Sequence, residues 1–450
     1  MKSWKPLALL AITAVLTACS GGGEDSADGK AVVHVSLDPG LEQGAIDAFN
    51  ARVAQFEAAN PAIDLVPQEF KWDGTTFTAQ LAGGTLPDVF TVPFTDGRGL
   101  IEREQIADIS AEVSKLPYAT KFNDKIALAG SSGDGRMWAV PIAAHGQALH
   151  YNRTLFTQAG LDPDKPPATW DEVRSAARQI TQRTGQTGYA MMTSGNTGGW
   201  IAVTLDYAHG GRAERIDGDA AKATLDTPEM ANVLRDIRTM RWDDNSMGAN
   251  FLYDWATINQ DFAAGRIGMY VSGGGNFGSL KAQNALKPED YGVTVLPLTS
   301  RPDAGVLGGG TLAAVSAKAS EKVKAAAVRW IDFYYMEKLT KPEAAVADAR
   351  TTADSGQAVG SPELPVFDKA TFDQRMQWIA QYVNVPIKQM APYTDKMFGQ
   401  PLIPEPTRST QQVYALLDPV VQAVLTNRDA DVSALLRDAQ SQAQALLDRK

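Results

Sequence analysis

The sequence has a single cysteine, Cys19, in 450 residues. One thiol cannot build a disulfide framework, nor a zinc site that needs two to four thiolates. Only four histidines are present, His34, His145, His150 and His209, and no two share a helix face at i,i+4. A zinc hydrolase is therefore excluded as a working expectation, and no metal or cofactor is expected. Excess positive charge is also missing. The net charge of −10 leaves no basic stripe of the kind that grips phosphate backbones, so nucleic acid is not an expected partner. After the N-terminus no apolar run reaches 18 residues, the minimum for a spanning helix. Gly-x-Ser-x-Gly, P-loop, His-Glu-x-x-His and calcium-loop patterns are all absent. What remains, 44% hydrophobic and 21% charged, suffices for two globular domains.

The N-terminus departs from this composition. Lys2 and Lys5 precede an apolar run from Leu7 to Leu16. About ten residues make a helix of roughly 15 Å, half a bilayer core, which suits a secretory signal rather than a membrane span. The run ends in Leu16-Thr17-Ala18-Cys19, which resembles the bacterial lipobox. That resemblance implies a signal peptide over 1–18, lipidation of Cys19, and anchoring to the outer face of a membrane. Residues 19–30 are Gly-, Ser- and acid-rich and read as a flexible tether.

Strand-like and helix-like segments then alternate. Ala31–Leu37, Ile63–Phe70 and Asp88–Val92 predict strands, and Ile46, Phe49, Val53 and Phe56 mark a helix stopped at Asn60-Pro61. Ala148–Tyr151, Gly188–Met192, Ile267–Val271, Tyr291–Leu296 and Leu312–Val315 predict further strands. Thr169-Trp170-Asp171-Glu172 is a capping box opening a helix. Pro228–Met240, Glu321–Met336, Gln411–Leu425 and Val432–Asp448 predict helices, and polar Thr340–Pro365 reads as a connection. The class is α/β, with mostly parallel sheets flanked by helices. Gly273-Gly274-Gly275-Asn276-Phe277-Gly278 fits Gly-x-Gly-x-x-Gly, but it lies far from the first βαβ unit. It reads instead as a turn whose backbone approaches a neighbour or ligand closely. Asp243-Asp244 reads as a solvated turn.

Several segments, in order, resemble the extracellular solute-binding proteins of ABC importers, in the sugar-binding group. They are Phe56–Pro61, Gly84–Val89, Val140-Pro141 with Tyr151–Phe156 and Thr169–Glu172, Phe262–Met269, Tyr291–Pro297 and the Gly308–Gly310 turn. The resemblance implies a monomeric, two-lobed periplasmic-binding fold with the ligand cleft between lobes. Lobe one would comprise 31–144 plus 297–345, and lobe two 145–292 plus 346–450. Hinges are expected near Ala143–Gly146, Val293–Pro297 and Thr340–Asp354. The implied ligand is an oligosaccharide or related polyol, and the implied partners are ABC permease subunits. A surface glycosidase or lyase using the same cleft is the alternative function.

Sugars need aromatic platforms and short polar side chains. By position the resemblance implies Asp38, Glu42, Trp72, Phe90, Thr91, Phe94 and Asp96 on lobe one. His145 is implied at the first crossing. Trp200, Asp206, Tyr207, Trp255, Gly273, Gly274, Gly275 and Asn276 are implied on lobe two. Gly309 and Gly310 return from lobe one, and Arg408 precedes a late helix.

Overall fold

The structure is a computed structural model that describes residues 29–41, 43–73, 76–217 and 220–448. Cys19, the export signal and Glu42 lie outside the described residues.

The strands in chain order are β1 (Ala31–Leu37), β2 (Ile63–Glu69), β3 (Val89–Pro93), β4 (Ala139–Asn152), β5 (Thr187–Tyr189), β6 (Glu214–Asp217), β7 (Ala220–Ala223), β8 (Ile267–Gly273), β9 (Tyr291–Val295), β10 (Val306–Val315) and β11 (Leu402–Pro404). The main sheet runs β2-β1-β3-β10-β4-β8-β5, with β9 on β4 and β11 on β10. β1 pairs parallel with both β2 and β3, as crossover helices require. Trp330 fills the core beside them, fully buried, its ring among Phe49, Phe56 and Tyr334.

β4 joins the two halves of the sheet. Its residues Ala139–Gly146 pair antiparallel with β10, and Gln147–Asn152 pair with β8 and β9 instead. The exchange of partners falls between Gly146 and Gln147. Alongside it, residues 296–305 link β9 to β10, and Leu364 makes an isolated bridge to Ala144. Two backbone segments thus cross between the halves at one place, with Leu364 alongside.

The main sheet is mixed rather than mostly parallel, because β4 and β10 pair antiparallel with their neighbours β3, β8 and β9 and with each other. Most predicted elements are present, with two further corrections. Thr340–Pro365 is not a plain connection, because it contains the helix Pro342–Asp354. Pro342 at its start and an alanine-rich body favour a helix there. It buries only Ala345 and Ala349, against Val359 and Ile379, in a small core of its own, so its apolar signal is weak. The other correction concerns Gly308–Gly310, expected as a turn. These residues sit inside β10. A Cβ on Gly308 would stand 2.1 Å from a Leu402 methyl, and one on Gly310 would stand 2.2 Å from the Ala143 carbonyl oxygen. Close packing, not a reversal, demands glycine there. Among the described residues no helix is long and apolar enough to cross a membrane.

Candidate ligand cleft

The C-terminal ends of β1 and β3, the crossing region of β4 and the end of β8 all face the junction between the halves. The loop after β2 carries Trp72, partly buried, its ring 4.9 Å from Phe77. Its indole stands beside the carboxylate of Asp96, in the first turn of the helix Phe94–Glu102, and favours its charged form. Thr95 adds a hydroxyl at 3.1 Å. Burial nevertheless pushes the Asp96 pKa up, against these stabilising neighbours. Two residues named from the sequence, Trp72 and Asp96, are thereby one unit.

A second tryptophan–carboxylate unit stands on the other half. Trp200 lies in the helix Thr197–Ala208, which packs on the helix Thr410–Thr426. Its partner is Glu405, in the extended segment between β11 and that helix. The Tyr414 hydroxyl donates to the same carboxylate at 3.1 Å. Burial again raises the acid's pKa. Beneath Glu405 is a bare strip of backbone. Gly309 pairs with His145 across β10 and β4, and a Cβ on Gly309 would lie 3.0 Å from His145 Cε1 and 3.8 Å from Glu405 Oε2. The imidazole of His145 opens to solvent on one side and is walled by protein on the others, which lowers its pKa.

Glu405 and Tyr414 are absent from the sequence-based set. The only local signal is Pro404-Glu405-Pro406, where two prolines hold the backbone extended around one acid.

The family follows from the whole chain. A model of the bacterial extracellular solute-binding proteins matches residues 51–358. The chain belongs to that family. A binding protein of Brucella abortus is 24% identical over 329 residues, covering 71% of this chain and 77% of its own. The sn-glycerol-3-phosphate-binding periplasmic protein of Agrobacterium fabrum is 25% identical over 305 residues, covering 66% and 61%. Among solved structures, the cyclic α-maltosyl-1,6-maltose binding protein of Arthrobacter globiformis superposes with a TM-score of 0.69 at 23% identity, over 94% of this chain and all of that one. The two-lobed periplasmic-binding fold is the shared architecture.

In this solute-binding protein the remaining expected residues divide by exposure. Asp38 is exposed after β1, near the Tyr334 and Tyr335 rings. Those tyrosines lie in a π-helical turn, Asp332–Met336. Thr91 is half-buried on β3, and Trp255 is partly buried at the start of the helix Trp255–Ala263. Arg408 is half-buried just before the helix Thr410–Thr426. Gly273–Gly275 close a tight turn held by the Gly274 N–H on the Gly146 carbonyl at 2.9 Å. A Cβ on Gly274 would meet the Tyr393 hydroxyl oxygen at 2.4 Å, and one on Gly275 would meet Glu363 Cγ at 2.8 Å. His150, fully buried on β4, supports the turn from below through contacts to the Gly273 carbonyl at 3.0 Å and the Tyr291 hydroxyl at 3.0 Å.

Five expected residues present no open side chain. Phe90 is wholly enclosed, with Phe70 and Phe77 on its ring, because strand alternation turns Phe90 inward and Thr91 outward. Phe94 is buried against the place where Gly310 lacks a Cβ. Asn276 spends its amide on Asn259 and the Tyr270 hydroxyl, both at 2.8 Å. Tyr207 is buried, with Arg212 over its ring at 5.3 Å. Asp206 is fully buried, and neither carboxyl oxygen has a hydrogen-bond partner among the described residues. Burial, with Glu229 nearby, raises its pKa to about 8. Asp243 and Asp244, expected as a solvated turn, are ion-paired to Arg428 and Arg174.

Proposed function

We propose that this protein is the substrate-binding component of an ABC importer and takes a carbohydrate or related polyol between its lobes. The observation that carries the reading is the Glu405 site, a carboxylate bonded by Tyr414 beside Trp200 and above Gly309. With Trp72–Asp96 on the other half, the cleft offers two indole rings, each beside an acid. Sugar C–H faces lie on aromatic rings, and their hydroxyls donate to carboxylates. The maltosyl-binding Arthrobacter protein supports the same class. Half-buried carboxylates repel a phosphate, which weighs against the glycerol phosphate of the Agrobacterium relative despite Arg408.

On this reading Asp38, Glu42, Thr91, Trp255, the Gly273–Gly275 turn and Arg408 complete the cleft. The lobes rotate about the partner exchange in β4; the expected boundary at 345/346 falls within the helix Pro342–Asp354 and does not divide them. Ligand touching both lobes stabilises the closed form, which the permease then distinguishes from the empty one. Export through the N-terminal signal, lipidation of Cys19 and a monomeric state are parts of the same proposal.

The test is a thermal-shift screen over mono- to tetrasaccharides, polyols and glycerophosphodiesters. A ligand at about 100 times its dissociation constant adds about 2.7 kcal/mol of stability. Stabilisation by a neutral saccharide, recovered unchanged after long incubation, supports the reading. Stabilisation by glycerophosphodiesters alone, or turnover of the saccharide, overturns it.

A further inference from the structure

From the geometry beside the cleft we infer that the bound saccharide runs past the Glu405 site into a lateral groove over Arg375, making the ligand an oligosaccharide of three or more units. This inference rests on the carbohydrate reading above. Two adjoining cavities, of about 410 and 310 Å³, share the wall formed by Asp348, Ser361, Glu363 and Arg375. Both volumes fall in the range of small-molecule sites. They meet the cleft at two points. Ala143, which lines the smaller cavity, is two residues from His145 on β4, so both exposed side chains lie on one face of the strand. Gly275, which lines the larger one, lies in the tight turn after β8, and its missing side chain leaves Glu363 in contact with that turn.

The chemistry of the shared wall suits a sugar ring. Arg375 is mostly enclosed, donates to the Lys338 carbonyl at 3.2 Å and stands 4.0 Å from Asp348. Arg375 lines the groove together with Ser361, whose hydroxyl is a buried oxygen with no hydrogen-bond partner among the described residues. Donors there lie beside the acceptors Asp348 and Glu363, and Phe372 supplies an apolar surface. A ring with several hydroxyls, each donor and acceptor at once, matches such a mixed wall.

Calorimetric titration of the full chain with maltose, isomaltose, cellobiose and their tri- and tetrasaccharide homologues tests this. The expected result is a gain of tenfold or more in affinity from di- to trisaccharide in the binding series. Ser361→Phe, which fills the groove, abolishes that gain while leaving disaccharide affinity within twofold. Glu363→Gln, at an exposed position tolerant of change, reduces the gain at least threefold and serves if Ser361→Phe fails to fold. A disaccharide that binds as well as its longer homologues overturns the groove alone, as does a length gain that survives these substitutions. If no saccharide binds, the carbohydrate reading itself falls.

Discussion

Tyr414 donates its hydroxyl to the Glu405 carboxylate at 3.1 Å, and Trp200, on the helix packed against that of Tyr414, stands beside the same carboxylate. The acid is held in place before any ligand arrives, so ordering it costs nothing on binding. Glu405→Gln is expected to weaken saccharide binding by about 1.5–3 kcal/mol, the usual range for a hydrogen bond to a charged group. The melting temperature of the empty protein should move little, since Gln can still accept from Tyr414. Binding by calorimetry and melting by calorimetric scan check the two halves of that statement.

Trp200→Phe separates the ring from its N–H. Removing an N–H beside a carboxylate raises the acid's pKa further. The Glu405 pKa already lies above the ordinary glutamate value. The variant should therefore lose saccharide affinity at mildly acidic pH, through protonation of Glu405, before the parent protein does. Affinity measured against pH reads the displacement, and coincident profiles would count against a role for the indole N–H.

The neighbouring glycines Gly309 and Gly310 should respond differently to alanine. At Gly309 the new methyl meets the His145 ring at 3.0 Å, and that ring can swing toward solvent. Stability should hold, while ligand affinity falls about tenfold through the displaced imidazole. At Gly310 the methyl meets the Ala143 carbonyl at 2.2 Å and Phe94 at 2.5 Å. Backbone cannot move away cheaply, so Gly310→Ala should cost about 1–3 kcal/mol, as overpacking does. Denaturant melts distinguish the pair.

Asp206 and His150 predict the pH course of stability. The folded protein holds the Asp206 proton up to a pKa of about 8, against an ordinary value of 3.8. Between those values the native state binds more protons than the unfolded chain, so stability falls as pH rises from about 4 to 8. Asp206→Asn should remove that decline and be more stable than the parent at neutral pH. The sign for His150 is opposite. Burial lowers its pKa from 6.5 to about 4, so its contribution is present above 6.5 and lost as pH falls toward 4. His150→Gln should flatten that acid limb. Melting temperature against pH for both variants decides each.

The strands and helices that position the cleft were legible because periodicity reports which face is buried. β1, β2 and the helices Pro228–Trp242 and Val432–Leu447 follow such patterns closely. The cleft was less legible. Trp72 and Asp96 could be named separately, yet their proximity joins residues 24 apart through the third dimension. Phe90 was misread although its neighbour Thr91 is open, since position at a strand end does not say which way a residue faces. Glu405 belongs to no periodic element and acquires meaning only when Trp200, two hundred residues earlier, is folded against it. β10 was half visible because glycine is a poor strand former, and the close approaches that require Gly308 and Gly310 come from β4 and β11.

Pairing β3 with β10 has a temporal consequence. Val92 and Leu312 are neighbours in the sheet, but 220 residues separate them, and Val306 must wait for Leu402. The first half of the sheet thus stays open along β3 until most of the polypeptide has been synthesised. Such long-range closure is slow. For a chain that, on the reading proposed, crosses a membrane before it folds, this delay keeps the precursor threadable.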